Sequence, residues 1–556
     1  MYCDTTQVNQ LTALLVAYNI RNAVVCPGSR NATIVHNLYE LHRQGKVSIH
    51  PVTDERSAAF VALGMSLATQ EPTIVCVTSG TALLNCVPAV AEAYYRHLPL
   101  LVISADRPLQ WIGQYDGQTL QQTGALEPYC RTAQINPPRS KGDCWVNNLH
   151  INEALNSLYH GEGGPAHINV AIEEPMFSFN TVQLPNERVI SVTCPTNSTP
   201  IPQNIVDIIA NAKLPVLLIG QYERGDIRKE VADIVENKQM LVLPEIISDV
   251  PGNHLMNAFD YLSTQADALK PDLVVQIGGN FVHKSFKSLL RNTSCCVIRI
   301  DEEQGLIDTF CHLQYKIQSA VQPALAQLSM KLPRRHEGVA KAERRLADTA
   351  KILEEGLLAD EEHLTMNCVI RHLYMKMQTL ACDYTLHLAN SSSVRIAGNY
   401  FKSGVQPILC NRGVNGIEGS LSTAAGFSLG TTDKVVCVIG DLSFFYDQNA
   451  LWNGRLRGNL RIILLNNHEG GIFSTLPGLD GSPAAHDMVA AAHNTEARGI
   501  CTQNDIGYLK ATNMDEMQVG VVTLLTQQAD RPMVLEVFTD AAEDAKAMRE
   551  YFESLK

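Results

Sequence analysis

Oxygen-bearing side chains follow two apolar runs in the last third of the sequence. Asp441 comes directly after KVVCVIG, and Asn467 lies 26 positions later, at the end of RIILLNN. Either fragment alone is better explained as a turn after a strand. Because parallel strands deliver their carboxyl ends to one edge of a sheet, both side chains and the backbone carbonyl of Glu469 are predicted to converge. Such oxygens are the ligands that Mg²⁺ or Mn²⁺ prefers, so the joint spacing predicts a divalent-metal site.

The residues after Asp441 are predicted to continue as a helix. The segment SFFYDQNALWNGRL has helical character, and Ser443 would be its N-cap. The free N–H groups of the first helical turn would then point at an anionic group beside the metal. A metal ion and a helix terminus acting together favour a diphosphate ligand.

A second candidate site lies near the amino terminus, in HPVTDERSAAFVALG. Glu55 follows a predicted strand and begins a predicted helix. Taken alone, an acidic residue at a helix start is explained by the favourable placement of its charge on the helix dipole. Together with the metal motif, a second interpretation becomes available, in which this carboxyl group takes part in catalysis.

The two regions together resemble the thiamine-diphosphate-dependent enzymes, which share a Gly-Asp-x…Asn-Asn metal motif and an activating glutamate. At closer range the sequence is similar to one family, the 2-succinyl-5-enolpyruvyl-6-hydroxy-3-cyclohexene-1-carboxylate synthases of menaquinone biosynthesis. The matching segments lie in both outer thirds of the chain: CPGSRN, TDERSAAFVALG, VTSGTALLN, ISADRP, NRGVNGIEGSLSTAAG, IGDLSFFYDQNAL and NNHEGGIFSTLP. The middle third matches only weakly.

The resemblance implies a transferase with thiamine diphosphate and Mg²⁺ (or Mn²⁺) as cofactors. It implies decarboxylation of 2-oxoglutarate and 1,4-addition of the resulting carbanion equivalent to isochorismate. Glu55 would hydrogen-bond N1′ of the aminopyrimidine and favour the imino tautomer, whose exocyclic nitrogen removes the thiazolium C2 proton. The alternative is another thiamine-diphosphate-dependent decarboxylase or carboligase, which would need fewer cations for a smaller 2-oxo acid.

The resemblance also implies the residues that contact the substrates. Because both substrates carry two carboxylates, several fixed cations are required, and arginine binds a carboxylate through two parallel hydrogen bonds. The implied cationic and polar residues are Ser29, Arg30, Arg107, Gln118, Lys284, Ser391 and Arg395. For Lys284, which lies close to Lys287, a solvated surface position is nearly as good an explanation.

A further set is implied to contact the cofactor. Besides Glu55, Asp441 and Asn467 it consists of Arg412, Gly413, Ile417, Gly440, Leu442, Ser443 and Phe473. Ile417 would be the apolar wedge that bends the cofactor, and Leu476 matches a position beside the cofactor or substrate. The metal loop departs from the family pattern, since Glu469 stands where glycine is common. A backbone carbonyl ligand survives that change.

The elements that must position these residues are those of an α/β protein. Short apolar runs alternate with helix-length segments, which is typical of buried parallel strands. We predict three doubly wound parallel-sheet domains: a pyrimidine-binding domain at 1–180, a middle domain at 205–330 and a diphosphate-binding domain at 360–556. They are joined by a linker at 181–204 and a charged helical connection at 331–359. The runs predicted as strands are AVVC, TIVCV, LPLLVIS, AHINVAI, PVLLIG, QMLVLP, DLVVQIG, CCVIRI, YTLHLA, KVVCVIG, LRIILLN and PMVLEVF.

The amino-acid composition limits the classes of function that the protein can have. The chain has 556 residues and a formal net charge of −13, without a basic stripe, which argues against a nucleic-acid partner. Its 15 cysteines are scattered and are expected to be reduced. No signal-peptide pattern or membrane-length apolar run is present, so we expect a cytoplasmic protein with no membrane partner. The resemblance implies a homodimer or homotetramer with active sites between subunits.

Overall fold

A computed structural model of the chain describes residues 1–159, 163–193, 198–253, 258–264, 270–357, 363–380, 383–473, 476 and 478–555. In this part of the chain the strands form three sheets, and all strand pairs in them are parallel. Apolar clusters cover both faces of each sheet, because helices pack on both sides. The predicted α/β class with doubly wound parallel sheets is confirmed.

The first sheet has the strand order β2-β1-β3-β4-β6-β5. Its strands are β1 (Asn22–Val25), β2 (Ser48–Pro51), β3 (Thr73–Val77), β4 (Leu100–Asp106), β5 (Thr132–Ile135) and β6 (Ala166–Ala171). The helices around it are α1 (Thr6–Ala17), α2 (Ala32–Arg43), α3 (Glu55–Thr69), α4 (Thr81–Asn85), α5 (Val87–Arg96) and α6 (Lys141–Ser157).

The second sheet has the order β11-β10-β9-β7-β8. Its strands are β7 (Pro215–Ile219), β8 (Leu241–Pro244), β9 (Leu273–Ile277), β10 (Cys296–Asp301) and β11 (Leu313–Gln318). Its helices are α7 (Gln203–Asn211), α8 (Arg228–Glu236), α9 (Ala258–Thr264), α10 (Lys284–Arg291) and α11 (Val321–Lys331), and α12 (Glu337–Leu357) follows.

The third sheet has the order β13-β12-β14-β15-β17-β16. Its strands are β12 (Tyr384–Leu388), β13 (Ile408–Leu409), β14 (Lys434–Gly440), β15 (Leu460–Asn466), β16 (Gly507–Ala511) and β17 (Met533–Phe538). Its helices are α13 (Met366–Thr379), α14 (Ser392–Ala397), α15 (Ser420–Gly430), α16 (Asp441–Tyr446), α17 (Arg498–Gln503), α18 (Met514–Thr526) and α19 (Ala541–Ser554).

The predicted strand runs all form strands, and the strand predicted before Glu55 is β2. Four further strands, β5, β11, β13 and β16, were not predicted, and each lies at the edge of its sheet. The bounds of the three predicted domains, the linker and the helical connection stay a prediction. Part of that linker and the end of the connection fall on residues outside the described ranges.

Helix α3 of the first sheet packs directly against α15 of the third. A Cβ on Gly64 would lie 2.0 Å from the carbonyl oxygen of Thr423, and one on Gly426 would lie 2.0 Å from that of Val61. The two backbones therefore touch where only glycine leaves room. Ser57 and Ser422 add a hydroxyl–hydroxyl hydrogen bond of 2.9 Å between these helices.

The state of the cysteines and the apolar character of the helices were both predicted from the sequence. The cysteines in the described ranges are free thiols, and most of them are buried. None of the described helices combines the length and the apolar character needed to cross a lipid bilayer.

Candidate active site

Glu55 is the first residue of α3 and lies at the carboxyl-terminal edge of the first sheet, half-buried. The helix starts here because the Asp54 side chain accepts hydrogen bonds from the N–H groups of Arg56 and Ser57. Asp54 also accepts a hydrogen bond of 2.8 Å from Asn449, which anchors the turn to the third domain. The backbone turn that carries Glu55 is thus held by the Asp54 helix cap and by the contact with Asn449.

Arg30 and Arg107 lie together at the same edge. The Arg30 guanidinium is buried, donates 3.0 Å to the Ile172 carbonyl and pairs with Glu174 at 3.2 Å. Arg107 lies 3.8 Å from the same Glu174 oxygen and donates 3.1 Å to the Gly117 carbonyl. Burial and then the neighbouring Arg107 lower the pKa of Arg30 below its usual range. Two guanidinium groups this close together would attract an anion.

A buried polar network supports the loop that carries Gln118. Gln122 accepts 2.7 Å from the Gly80 N–H and donates 2.7 Å to Asn169, whose amide donates 2.7 Å to Asp106. Gln118 and Ser29 themselves are exposed at the sheet edge, and Gln118 has a positive φ of 54°. Both side chains are therefore open to a ligand or to another protein surface.

Asp441 lies at the end of β14 and is almost completely buried. Its Oδ1 accepts 2.7 Å from the Leu442 N–H, while its Oδ2 is buried without a hydrogen-bond partner. The His493 Nε2 atom lies 3.4 Å away but does not have hydrogen-bond geometry. Burial raises the pKa of Asp441 to about 7, against the lowering effect of nearby backbone N–H groups. A cation bound at Oδ2 would have its charge balanced by the Asp441 carboxylate.

The predicted N-cap at Ser443 is wrong. Helix α16 begins at Asp441, with Gly440 as the N-cap residue in an extended conformation. The strand runs directly into the helix, so Ser443 lies in the second half of the first turn. Its hydroxyl instead donates a short hydrogen bond to the Ile417 carbonyl. Ser443 therefore ties the metal loop to the loop that carries Ile417.

Asn467 ends the neighbouring strand, as predicted, and its amide is held on both sides. Its Nδ2 donates 3.2 Å to Asp544, and its Oδ1 accepts 3.4 Å from the Glu469 N–H. Asp544 also accepts 2.7 Å from both the Met366 N–H and the Thr539 hydroxyl. The Glu469 carbonyl accepts 2.9 Å from the Gly471 N–H. Asp544 therefore determines which way the Asn467 amide faces.

The loop with Arg412 and Gly413 is clamped by buried acids and amides. Glu92 accepts 2.9 Å from the N–H groups of Gly413 and Val414. The buried Arg412 donates 3.0 Å to the Asn390 side chain, and its Nε atom is buried without a partner. Because it also donates 3.4 Å to the Phe281 carbonyl, Arg412 adds a fixed positive charge between the third and second domains.

A cavity of about 610 Å³ lies between the second and third sheets. Its lining includes Lys284, Arg395, Asn467 and Leu476 from the predicted set, together with residues of α19. Burial and then the nearby Arg412 lower the pKa of Arg395. The structure thus places two predicted cations in the lining of the same cavity as the predicted metal ligand Asn467.

The remaining predicted residues belong to the loops and helix starts of the third domain. Ser391, with φ of 72°, precedes α14, which carries Arg395. Ile417 and Leu476 are exposed, and Phe473, Leu442 and Gly440 are half-buried. In the described part of the single chain, no hydrogen bond or ion pair joins Glu55 to Asp441 or Asn467. The candidate residues therefore form two groups, one on the first sheet and one on the second and third.

Comparison with known proteins assigns the family. Residues 5–126 match the family model described as thiamine pyrophosphate enzyme, N-terminal TPP binding domain. The chain is 37% identical to the 2-succinyl-5-enolpyruvyl-6-hydroxy-3-cyclohexene-1-carboxylate synthase of Bacteroides thetaiotaomicron, with all of both chains covered. It is 36% identical to that of Phocaeicola vulgatus over 100% of this chain and 99% of the relative. The synthase of Desulfotalea psychrophila is 32% identical over 96% and 98% of the two chains.

The chain belongs to the 2-succinyl-5-enolpyruvyl-6-hydroxy-3-cyclohexene-1-carboxylate synthase family. The similarity extends through the middle domain, where the sequence motifs were weakest. Membership in this synthase family confirms the resemblance and places the chain among thiamine-diphosphate-dependent transferases.

Sequence reasoning missed several residues that line or support the candidate site. Asp544 is one acid in the first turn of a helix, where an acid is expected for its helix-dipole interaction alone. His493 and the buried pair Glu245 and His283 lie outside the matched motifs. His283 directly precedes Lys284, and that adjacency was the one signal available.

Proposed function

We propose that this chain decarboxylates 2-oxoglutarate and adds the resulting succinyl unit to isochorismate, with thiamine diphosphate and Mg²⁺ as cofactors. The observation that carries the proposal is the cavity that Lys284, Arg395 and Asn467 line together. A cationic cavity of about 610 Å³ matches substrates that carry two carboxylates each. A site for a small monocarboxylate would not need these charges.

The residues at the strand ends fit a diphosphate-bound divalent ion. The partnerless Oδ2 of Asp441 is a buried acceptor that a cation would satisfy. Asn467 and the Glu469 carbonyl would complete the protein ligands. Among the described residues, no group of three His, Cys, Asp or Glu side chains could hold a metal. The proposed set therefore depends on amide and backbone oxygens as well as one carboxylate.

The chain's own residues would bind, orient and hold protons. Glu55 would share a proton with N1′ of the aminopyrimidine, and the Arg30–Arg107 pair would attract a substrate carboxylate. Lys284 and Arg395 would hold a second carboxylate across the cavity. Bound thiamine diphosphate supplies the electron sink for the decarboxylation. The protein would mainly position the substrates and exclude water, which would otherwise release succinic semialdehyde.

We infer that the chain forms a homodimer, as the family resemblance implies. The loop after β4, which contains Arg107 and Gln118, exposes large apolar side chains at Leu109, Trp111 and Tyr115. Such an exposed cluster favours a protein interface. We infer that a second subunit covers this loop and brings its own metal loop to Glu55, so that each active site contains residues from two chains.

The direct test supplies purified protein with Mg²⁺, thiamine diphosphate, isochorismate and one 2-oxo acid. We expect CO₂ release and product formation with 2-oxoglutarate, and negligible turnover with pyruvate. Comparable rates with pyruvate would instead indicate a general 2-oxo-acid decarboxylase. Absence of cofactor-dependent turnover with either acid would contradict the proposal.

Replacing Arg395 by Ala should raise a substrate KM roughly 10- to 100-fold, the value of a hydrogen bond between a charged donor and a carboxylate. The fall in kcat should be smaller, because the cation contributes mainly to binding. Arg334→Ala, an exposed arginine between α11 and α12, is the matched control. An unchanged KM for both substrates would remove Arg395 from the site.

Asp544→Asn should weaken Mg²⁺-dependent cofactor binding by roughly 10- to 100-fold, as is typical when the partner of a metal ligand is lost. The new amide can keep one acceptor for the Met366 N–H, but its NH₂ group would then face the NH₂ group of Asn467. The metal-facing oxygen would no longer be fixed. Thermal-shift titration with cofactor and Mg²⁺ measures the effect.

Asp540→Asn on the same helix is the control, since asparagine caps helices as well as aspartate does. Equal titration curves for both variants would contradict the positioning role of Asp544.

A further inference from the structure

A buried acid–imidazole pair lies in the wall of the 610 Å³ cavity, outside the residues assigned above. Glu245, which follows β8, is fully buried. Its Oε1 accepts 2.8 Å from the Val282 N–H and 3.3 Å from the His283 N–H. Its Oε2 lies 3.0 Å from His283 Nδ1. Glu245 thus holds both the backbone and the ring of His283.

The charge state of the pair follows from this geometry. Burial alone would lower the pKa of His283, but the adjacent Glu245 carboxylate outweighs burial and raises it above its ordinary value. Burial likewise opposes ionisation of Glu245, yet His283 and the two N–H groups lower the pKa of that carboxyl. Both directions favour an imidazolium beside a carboxylate. Asp260 from α9 supports the positive charge, and Arg412 opposes it.

The His283 ring is held between Phe259 and Gly398, and its second nitrogen, Nε2, lies on the Gly398 side. Phe259 stacks on the imidazole, with ring centroids 4.8 Å apart. A Cβ added to Gly398 would lie 3.2 Å from His283 Nε2, so that nitrogen faces the end of the helix that carries Arg395. His283 lines the cavity together with Lys284 and Arg395. Three cationic groups therefore face one space.

Two of the acids that line this cavity have hydrogen-bond partners, and Glu553 on α19 lines it as a third. Asp260 accepts 2.9 Å from Ser285 and 3.3 Å from Tyr551. Asp544 accepts from Met366, Thr539 and Asn467, as described above. Burial followed by the nearby Arg412 lowers the pKa of Lys287 on α10. An incoming carboxylate would be the natural counter-ion.

We propose that His283 is a specificity-determining residue, whose Nε2–H binds a carboxylate of an anionic substrate alongside Lys284 and Arg395. Glu245 is its positioning residue, because it fixes the ring and balances the charge. The inference rests on the proposed function, and it adds a third cation that is held rigidly where lysine and arginine side chains are flexible. The carboxylate belongs to 2-oxoglutarate or to isochorismate, and the two are separated by experiment.

The test compares wild type with His283→Gln, which keeps a hydrogen bond to Glu245 but loses the charge. CO₂ release from 2-oxoglutarate alone gives one KM, and the full reaction at saturating 2-oxoglutarate gives the KM for isochorismate. We expect one KM to rise roughly 10- to 100-fold with a smaller change in kcat. The substrate whose KM rises is the one that His283 holds. His312→Gln, in the same domain, is the control.

Gly398→Ala provides a second variant that leaves the acid–imidazole pair intact. Its methyl group would crowd Nε2, so the same KM should rise, by a smaller factor. If both variants fold and keep both KM values within about twofold, His283 is only structural and the inference is wrong. A loss of kcat or Tm without a KM change leads to the same conclusion. Failure of the wild-type enzyme to turn over would instead contradict the proposed function.

Discussion

Glu55→Gln is expected to lower kcat by roughly 10²- to 10⁴-fold, which is the usual contribution of a positioned acid or base. Glutamine retains the size and hydrogen-bonding capacity of glutamate but cannot exchange a proton with the aminopyrimidine. Its position at the start of α3 should be unaffected, because the helix is capped by the neighbouring Asp54. Cofactor binding should therefore be largely kept.

Two measurements check this expectation. Steady-state rates with both substrates report the loss of turnover, and the rise in Tm on adding thiamine diphosphate and Mg²⁺ reports binding. Glu71→Gln, just beyond the opposite end of α3, is the matched control and should behave as wild type. Near-wild-type turnover by Glu55→Gln would exclude the assigned role.

Asp441→Asn is expected to reduce turnover by at least about 100-fold, because it removes the one carboxylate among the proposed metal ligands. It should also remove the Mg²⁺-dependent rise in Tm.

The same substitution should raise the stability of the cofactor-free protein above pH 7. Asp441 has a pKa of about 7 in the fold, above the ordinary value of an unfolded aspartate. The folded protein therefore loses stability as the pH rises from about 4 through 7.

Asparagine carries no such penalty, so the cofactor-free variant should be more stable than wild type at pH 8 and show little gain near pH 4. Thermal melts at the two pH values, with and without cofactor and Mg²⁺, separate the effects. Asp433→Asn, exposed at the other end of β14, is the control. A variant that keeps its Mg²⁺-dependent Tm shift would show that Asp441 is not a ligand.

The sequence predicted the interior of each sheet and missed most of the edges. Interior strands such as β3, β9 and β14 are buried along nearly their whole length, so they appear as continuous apolar runs. The edge strands β5 and β16 are half-buried, and their sequences, TAQI and GYLKA, mix polar and apolar residues. Edge strand β8 was predicted because LVLP is largely buried, and edge strand β2 because of the motif that follows it. Burial, more than strand propensity, decides which strands can be recognised.

The residues of the candidate site also divide into those that a local sequence motif predicts and those that it does not. Asp441 and Asn467 were predictable because adjacent strands place short-range motifs at one edge. Asp544, which holds Asn467, comes from 77 positions further along the chain. Glu245 and His283 are 38 positions apart and meet beyond the ends of β8 and β9, which lie on either side of β7 in the second sheet. Such partners carry no local pattern, because tertiary packing alone brings them together. The placement of Glu55 against a second chain's metal loop stays a prediction.

The glycine contacts between α3 and α15 have a mechanical consequence. Two helices whose backbones touch cannot slide or separate without losing close packing along their length. At this contact the first and third domains are therefore joined without a hinge, and the turn that carries Glu55 is fixed relative to the third sheet.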